Sequence, residues 1–215
     1  QSYHRIRRKG IIVNHKKLYR IYTTMKLNIR RRARKRLPAR VKQKLFQPSE
    51  INQVWSIDFM SDSLWNGRKI RLLNVIDDYN REVLTIETDT SLPTERVIRV
   101  LTRIGEDRGL PKMIRVDNGP EFISSKLDKW CDDRNIKLLF IQPGEPTQNA
   151  FIERFNGTFR RDVLNAYLFK SVEEVDEITS KWIIDYNYNR PHQSLGNKTP
   201  MEYKLQNINS IFEWI

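Results

Sequence analysis

The sequence predicts an α/β fold in which a five-stranded mixed sheet, its first three strands antiparallel and its last two parallel, follows a small basic helical arm. Two patterns predict the sheet. Three runs with strand character, 54–60, 69–76 and 82–87, are joined by the hairpin signal Asn66-Gly67 and the polar turn Asp77-Asp78-Tyr79-Asn80, which together make an antiparallel meander. Beyond residue 90, helical and strand patterns alternate, and parallel strands need such crossovers. Length agrees, because 215 residues with 39% hydrophobic content suffice for one core of about 150 residues and a small appendage.

The arm is predicted by charge. Residues 1–47 hold 17 Lys and Arg and no Asp or Glu. Of the 39 basic residues this leaves 22 against all 26 acidic ones, so the body carries an excess of four negative charges beneath a chain total of +13. A polycationic arm is the footprint of a polyanion, because each neutralised phosphate releases condensed counterions. A merely solubilising tail is the alternative. No apolar run approaches the roughly 18 residues that a membrane span needs, so no membrane partner is expected. Cys131 stands alone beside His4, His15 and His192, which excludes a disulfide framework and a Cys/His zinc cluster and fits a cytoplasmic protein. The chain opens on Gln1 rather than Met, which leaves room for an upstream segment.

Within the arm, Asn14 is placed to cap a helix in which Leu18, Ile21, Tyr22 and Met25 recur at helical spacing, with Gly10 marking a turn before it. Its other face offers Lys16, Lys17 and Arg20 to a phosphate backbone, as the second helix of a helix-turn-helix-like region does. Residues 30–44 lose the apolar period, and Arg31 and Arg34 fall in a linker able to lie along DNA. The first strand sets Trp55, Ile57 and Phe59 on one face and Asp58 on the other. A helix opened by Ser91 and Pro93 turns Val97, Leu101 and Ile104 inward and closes at Gly109. Met113–Val116 then runs into Asp117-Asn118-Gly119-Pro120, a helix buries Leu127, Trp130 and Cys131, and Lys137–Ile141 forms the fifth strand.

A Pro/Gly loop leads to a long amphipathic helix with an apolar stripe of Ile152, Phe155, Phe159, Val163 and Ala166. Glu153 edges that stripe, and Arg160 falls within about 20° of it and roughly 10 Å further along the axis. The last helix begins at the capping box Ser171-x-x-Glu174 and buries Val175, Ile178, Trp182 and Tyr186.

Three carboxylates carry the chemistry. Asp58 lies inside a strand, where an unpaired charge is expensive, Asp117 lies at the end of another, and Glu153 lies on a helix packed against the sheet. Oxygen ligands alone suit a hard cation, Mg²⁺ or Mn²⁺. Two such ions about 3.5–4 Å apart are the standard device for in-line phosphoryl transfer. Asp62, Asp77 and Asp78 compete for this role, the last two being equally explained by turn chemistry.

Asp58 within Trp55-Ser56-Ile57-Asp58-Phe59, Asp117 within Val116-Asp117-Asn118-Gly119-Pro120-Glu121-Phe122, and Glu153 after 35 intervening residues resemble the DDE triad of retroviral-integrase-like transposases. Residues 149–157, the block Tyr188-Asn189-Arg190-Pro191-His192-Gln193-Ser194-Leu195 and Thr199-Pro200 resemble bacterial insertion-sequence transposases of family three. The resemblance implies an RNase H-like core over residues 51–204, after a helix-turn-helix-like region (1–28) and a basic linker (29–50) and before a tail (205–215). It implies Asp58, Asp117 and Glu153 as catalytic and metal-binding residues with two ions, and strand cleavage at transposon ends followed by 3′-hydroxyl transfer. It also implies a flexible loop at 143–149 whose Gln148 and Asn149 touch DNA. The implied partners are terminal inverted repeats and target DNA, bound by a homodimer or higher oligomer at the bacterial nucleoid. Arg160 is the candidate for a phosphate contact, with an internal pair to Glu153 as the alternative. A structure-selective nuclease on the same fold and a non-catalytic DNA-binding regulator are the competing functions.

Overall fold

The computed structural model describes residues 2–27, 46–141 and 149–212, with the side chains of 207–212 left aside. Arg31, Arg34, Gln148, and most of the 143–149 loop and the basic linker lie outside the described residues.

Two short helices open the chain, α1 (Ser2–Arg8) and α2 (His15–Thr24). Asn14 caps α2 by accepting the Lys16 amide at 2.8 Å, as its sequence position demands. The apolar stripe expected of α2 is not buried. Ile21 and Met25 are 42% and 62% exposed, and neither helix buries a residue. The arm is tied to the body by polar contacts instead, with Arg5 paired to Asp185 and Arg8 bonding Glu202 at 2.5 Å and the Asn197 carbonyl at 3.0 Å.

The sheet follows the predicted plan. Strands β1 (Val54–Ser63), β2 (Lys69–Asp77) and β3 (Val83–Asp89) form the antiparallel meander. Helix α3 (Thr94–Arg108) then carries the chain to β4 (Met113–Val116), and α4 (Ser125–Asp132) carries it to β5 (Lys137–Phe140). The spatial order is β3-β2-β1-β4-β5, with β4 parallel to β1 and β5 parallel to β4. Alternation along the strands divides the core in two. Trp55, Ile57, Leu73 and Val75 pack under α3 and α4 on one face. Met60, Ile70, Leu72 and Ile76 pack on the other, under α5 (Ala150–Phe159) and α6 (Val172–Asn189).

Two departures from the predicted elements have local causes. The helix of Glu153 does not run straight to Ala166, because after Phe159 it widens into a π turn, Arg160–Leu164. The extra residue per turn rotates the stripe, so Val163 and Leu164 are buried and Ala166 is exposed. The segment read as a tail is helix α7 (Pro200–Phe212), which crosses the expected boundary at 204. It starts at a full capping box, in which Thr199 Oγ1 accepts the Glu202 amide at 3.2 Å and Glu202 accepts the Thr199 amide at 2.9 Å.

The β2–β3 turn is held by buried charge. Asp77 accepts the amides of Asn52 at 2.8 Å and Tyr79 at 2.9 Å, Asp78 pairs with Arg115 of β4, and Arg108 bridges Asp77 and Glu82. Both aspartates are completely buried and are used by the turn itself, Asp77 on two backbone amides and Asp78 on Arg115.

Candidate active site

Asp58 sits in the middle of β1 opposite Asn74 of β2, on the face covered by α5. Its Oδ1 accepts the Phe59 amide at 2.8 Å, and its Oδ2 accepts the Asn156 side-chain amide at 2.6 Å. Asn156 is in turn oriented by Asn74, whose Nδ2 donates to Asn156 Oδ1 at 2.7 Å. This relay fixes the Asp58 rotamer from the neighbouring strand and the overlying helix. Burial raises the Asp58 carboxyl to about 6, and the charges of Asp117 and Glu153 push it the same way, while the Phe59 amide and Asn156 hold it down. Both other carboxylates therefore act on Asp58 across the site.

Asp117 reaches that position through strand register. β4 pairs in parallel with β1 through Val54↔Met113, Trp55↔Ile114 and Ser56↔Arg115, and continuing that register by two residues brings Asp117 level with Asp58. Its Oδ1 accepts the Gly119 amide at 2.9 Å, closing a tight Asx turn. A Cβ on residue 119 would stand 2.9 Å from that same oxygen, so a side chain there would push the Asp117 carboxylate out of its turn. The loop is anchored further by Asn118, which donates to the Ile141 carbonyl at 2.9 Å, and by an ion pair between Glu121 and Arg71.

Glu153 lies in the first turn of α5, exposed, one turn before Asn156 on the same face. Arg160 does not pair with it. Its guanidinium donates to the Ser61 carbonyl at 2.9 Å and lies 3.7 Å from Asp62, at the end of β1. Asn149, expected at the DNA, is buried at the start of α5 and offers no side chain to the surface as placed. Lys16, Lys17 and Arg20 are all exposed on α2. Among the described residues, no three His, Cys, Asp or Glu side chains stand close enough together to hold a metal ion as they are. The donor chemistry, oxygen ligands alone, suits a hard divalent cation.

Residues 48–146 and 134–200 match the integrase core domain family. The chain is 40% identical over 198 residues to an uncharacterized 31.7 kDa protein of insertion element IS407 from Burkholderia multivorans, covering 92% of this chain and 72% of that one. The chain belongs to the insertion-element transposases with an integrase core. A second relative, a 39.2 kDa protein of IS476 from Xanthomonas euvesicatoria, is 40% identical over 202 residues, of which the chain spans 58% of the length. A more distant one, 24% identical over 94% of this chain and 75% of its own length, is named as a transposase for IS150 of Escherichia coli.

The fold is that of retroviral integrase cores, the RNase H-like class. A simian T-cell lymphotropic virus intasome chain superposes with a TM-score of 0.62 at 19% identity, over 76% of this chain and 58% of its own. The HTLV-2 integrase catalytic core, determined in complex with magnesium, gives 0.55 at 19% identity over 73% and 98%. The family accounts for the three-plus-two sheet, and among the described residues no helix is long and apolar enough to cross a membrane.

Sequence reasoning missed Asn156 and Asn74. Asn156 was findable, since it lies three residues after Glu153 on the helix face that meets the strand carrying Asp58. Asn74 was not, because its role depends on the register of β2 against β1.

Proposed function

We propose that this chain carries out both phosphoryl transfers of DNA transposition, with Asp58, Asp117 and Glu153 as the catalytic carboxylates. In the first transfer water attacks the phosphorus at the transposon end, the P–O3′ bond breaks, and a 3′-hydroxyl is released. In the second that 3′ oxygen attacks a target phosphodiester and displaces the target's own 3′ oxygen, so one phosphodiester replaces another and no external energy source is needed. The three carboxylates would hold two Mg²⁺ or Mn²⁺ ions, which supply activation of the attacking oxygen and stabilisation of the leaving one. Asn156 and the Phe59 amide fix the two Asp58 oxygens, one each, and the Asx turn fixes Asp117. Arg160, pinned at the end of β1, offers its remaining donors to a phosphate near the scissile bond. Lys16, Lys17, Arg20, Arg31 and Arg34 would follow the DNA backbone, and two copies would bring two ends together.

The observation that carries this reading is a half-buried strand aspartate under the influence of two further carboxylates, one from a neighbouring strand end and one from the helix across it. A strand-transfer assay tests it, using a labelled transposon-end oligonucleotide with a free 3′-hydroxyl and Mg²⁺ or Mn²⁺. Joined product from the wild type and none from Glu153→Ala, at equal DNA binding, is the expected result. Cutting without joining would assign a nuclease instead, and joining by both proteins would remove Glu153 from the mechanism.

A further inference from the structure

A second concave site lies one face round α5 from Glu153. It is a cavity of about 280 Å³ walled by α5, the π turn, the end of α6 and the turn between β2 and β3. Four guanidinium side chains line it, those of Arg81, Arg154, Arg161 and Arg190, and no carboxylate does. We propose that this cavity is a phosphate-binding site, built to seat one phosphate group beside the helix that carries Glu153.

Arg81 is the strongest sign of a built site. It is only 7% exposed, its guanidinium lies 3.4 Å over the centre of the Phe151 ring, and its Nη1 has no hydrogen-bond partner. A buried donor left unmade is costly, and the Arg81 side chain lines a cavity with room for an acceptor beside it. The backbone of Arg81 adopts φ +63°, a conformation disfavoured for a residue with a side chain, and so holds the guanidinium in place at some strain.

His192 lines the same cavity, and its Nε2 is likewise buried without a partner. Burial first, then the charges of Arg190 and Arg81, push its pKa down to about 4, so the ring is neutral at pH 7 and one nitrogen carries a proton to donate. The other cations are pre-aimed. Arg190 is braced by Asp162 at 2.5 Å and Arg161 by Thr158 Oγ1 at 3.3 Å. Planar forks of this kind match phosphate oxygens better than a point charge does.

Size and aromatic geometry favour a phosphate over a base. The cavity falls just below the roughly 300–1,000 Å³ typical of sites for drug-sized ligands. Its aromatic walls are already engaged, Phe151 by Arg81, Phe155 by Phe159 and Trp182, and Tyr186 by Arg190 at 5.7 Å and by the His192 ring. The phosphate could belong to a DNA backbone or to a free phosphate-bearing compound. This assignment is independent of strand transfer.

His192 provides the test, because the chain has three histidines and only this one lies in the cavity. The measurement is NMR of the imidazole C–H resonances of the full chain, titrated with inorganic phosphate and, separately, with a short DNA duplex. Two variants at exposed rim positions, Arg154→Gln and Ser194→Glu, are compared after thermal melting has shown each to be folded. The site predicts a saturable His192 shift in wild type, weakened about tenfold in Arg154→Gln and abolished by the carboxylate of Ser194→Glu. A His192 shift with the duplex as well identifies the backbone as the source, and in that case Arg154→Gln lowers the salt slope of DNA binding by about one. A shift with inorganic phosphate alone identifies a free phosphate compound. A His192 resonance that neither probe moves, or that moves equally in Ser194→Glu, overturns the proposal.

Discussion

Asn156 governs the carboxylate site at the scale of single residues. It holds no ion in the proposed mechanism, yet it donates at 2.6 Å to Asp58 Oδ2 and so orients that carboxylate. Asn156→Ala is expected to lower strand transfer about 10–100-fold, the range usual for residues that orient metal ligands, while the melting temperature and DNA affinity stay close to wild type. Gly119→Ala should do similar damage from the other side, because the new methyl displaces Asp117 Oδ1 from its turn; retained activity would show that the turn is dispensable. Asp58 also makes stability depend on pH. Its folded pKa of about 6 exceeds the ordinary value of 3.8, so the fold favours its neutral form. That contribution is complete below pH 4 and lost as pH rises through 6, and it amounts to about 3 kcal/mol at most. Asp78 is raised in the same direction by burial. Without divalent ions, Asp58→Asn should therefore lose less stability than wild type between pH 5 and pH 8, measured by denaturant unfolding at each pH.

The elements were largely legible in the sequence where the local pattern was sufficient to specify them. Period-two alternation and two turn signals located β1, β2 and β3, and inward residues at helical spacing located α3 and α4. What stayed hidden depends on long-range packing or on a change of period. The π turn after Phe159 shifts the phase of the stripe by one residue, which a 3.6-residue template cannot register. Helix α7 was overlooked although Thr199-Pro200-x-Glu202 combines a cap, a first-turn proline and a reciprocal glutamate. Thr199→Ala should thus cost about 1 kcal/mol of stability, and more if the buried Thr199 site leaves a cavity. An unchanged unfolding midpoint would mean that α7 does not depend on its cap. The stripe of α2 misled in the opposite sense, since helical spacing of apolar residues does not say whether anything covers them.

Over the whole molecule, the sheet serves as a frame that brings distant segments to its central strands. Asp58 comes from the centre of β1, Asp117 from the end of its parallel neighbour, and Glu153 from the helix laid across them. Side-chain identity was readable at all three positions, whereas their meeting depends on register and crossover. Among the described residues the three carboxylates do not stand close enough to form a ligand set, and like charges repel one another across the site. In the proposed mechanism they close on a divalent cation. The most direct measurement is Mn²⁺ binding followed by electron paramagnetic resonance, on wild type and on Asp117→Asn and Glu153→Gln. Saturable binding in wild type, lost or much weakened in each single variant with the fold intact, is the predicted result. Undiminished Mn²⁺ binding in both variants would contradict it.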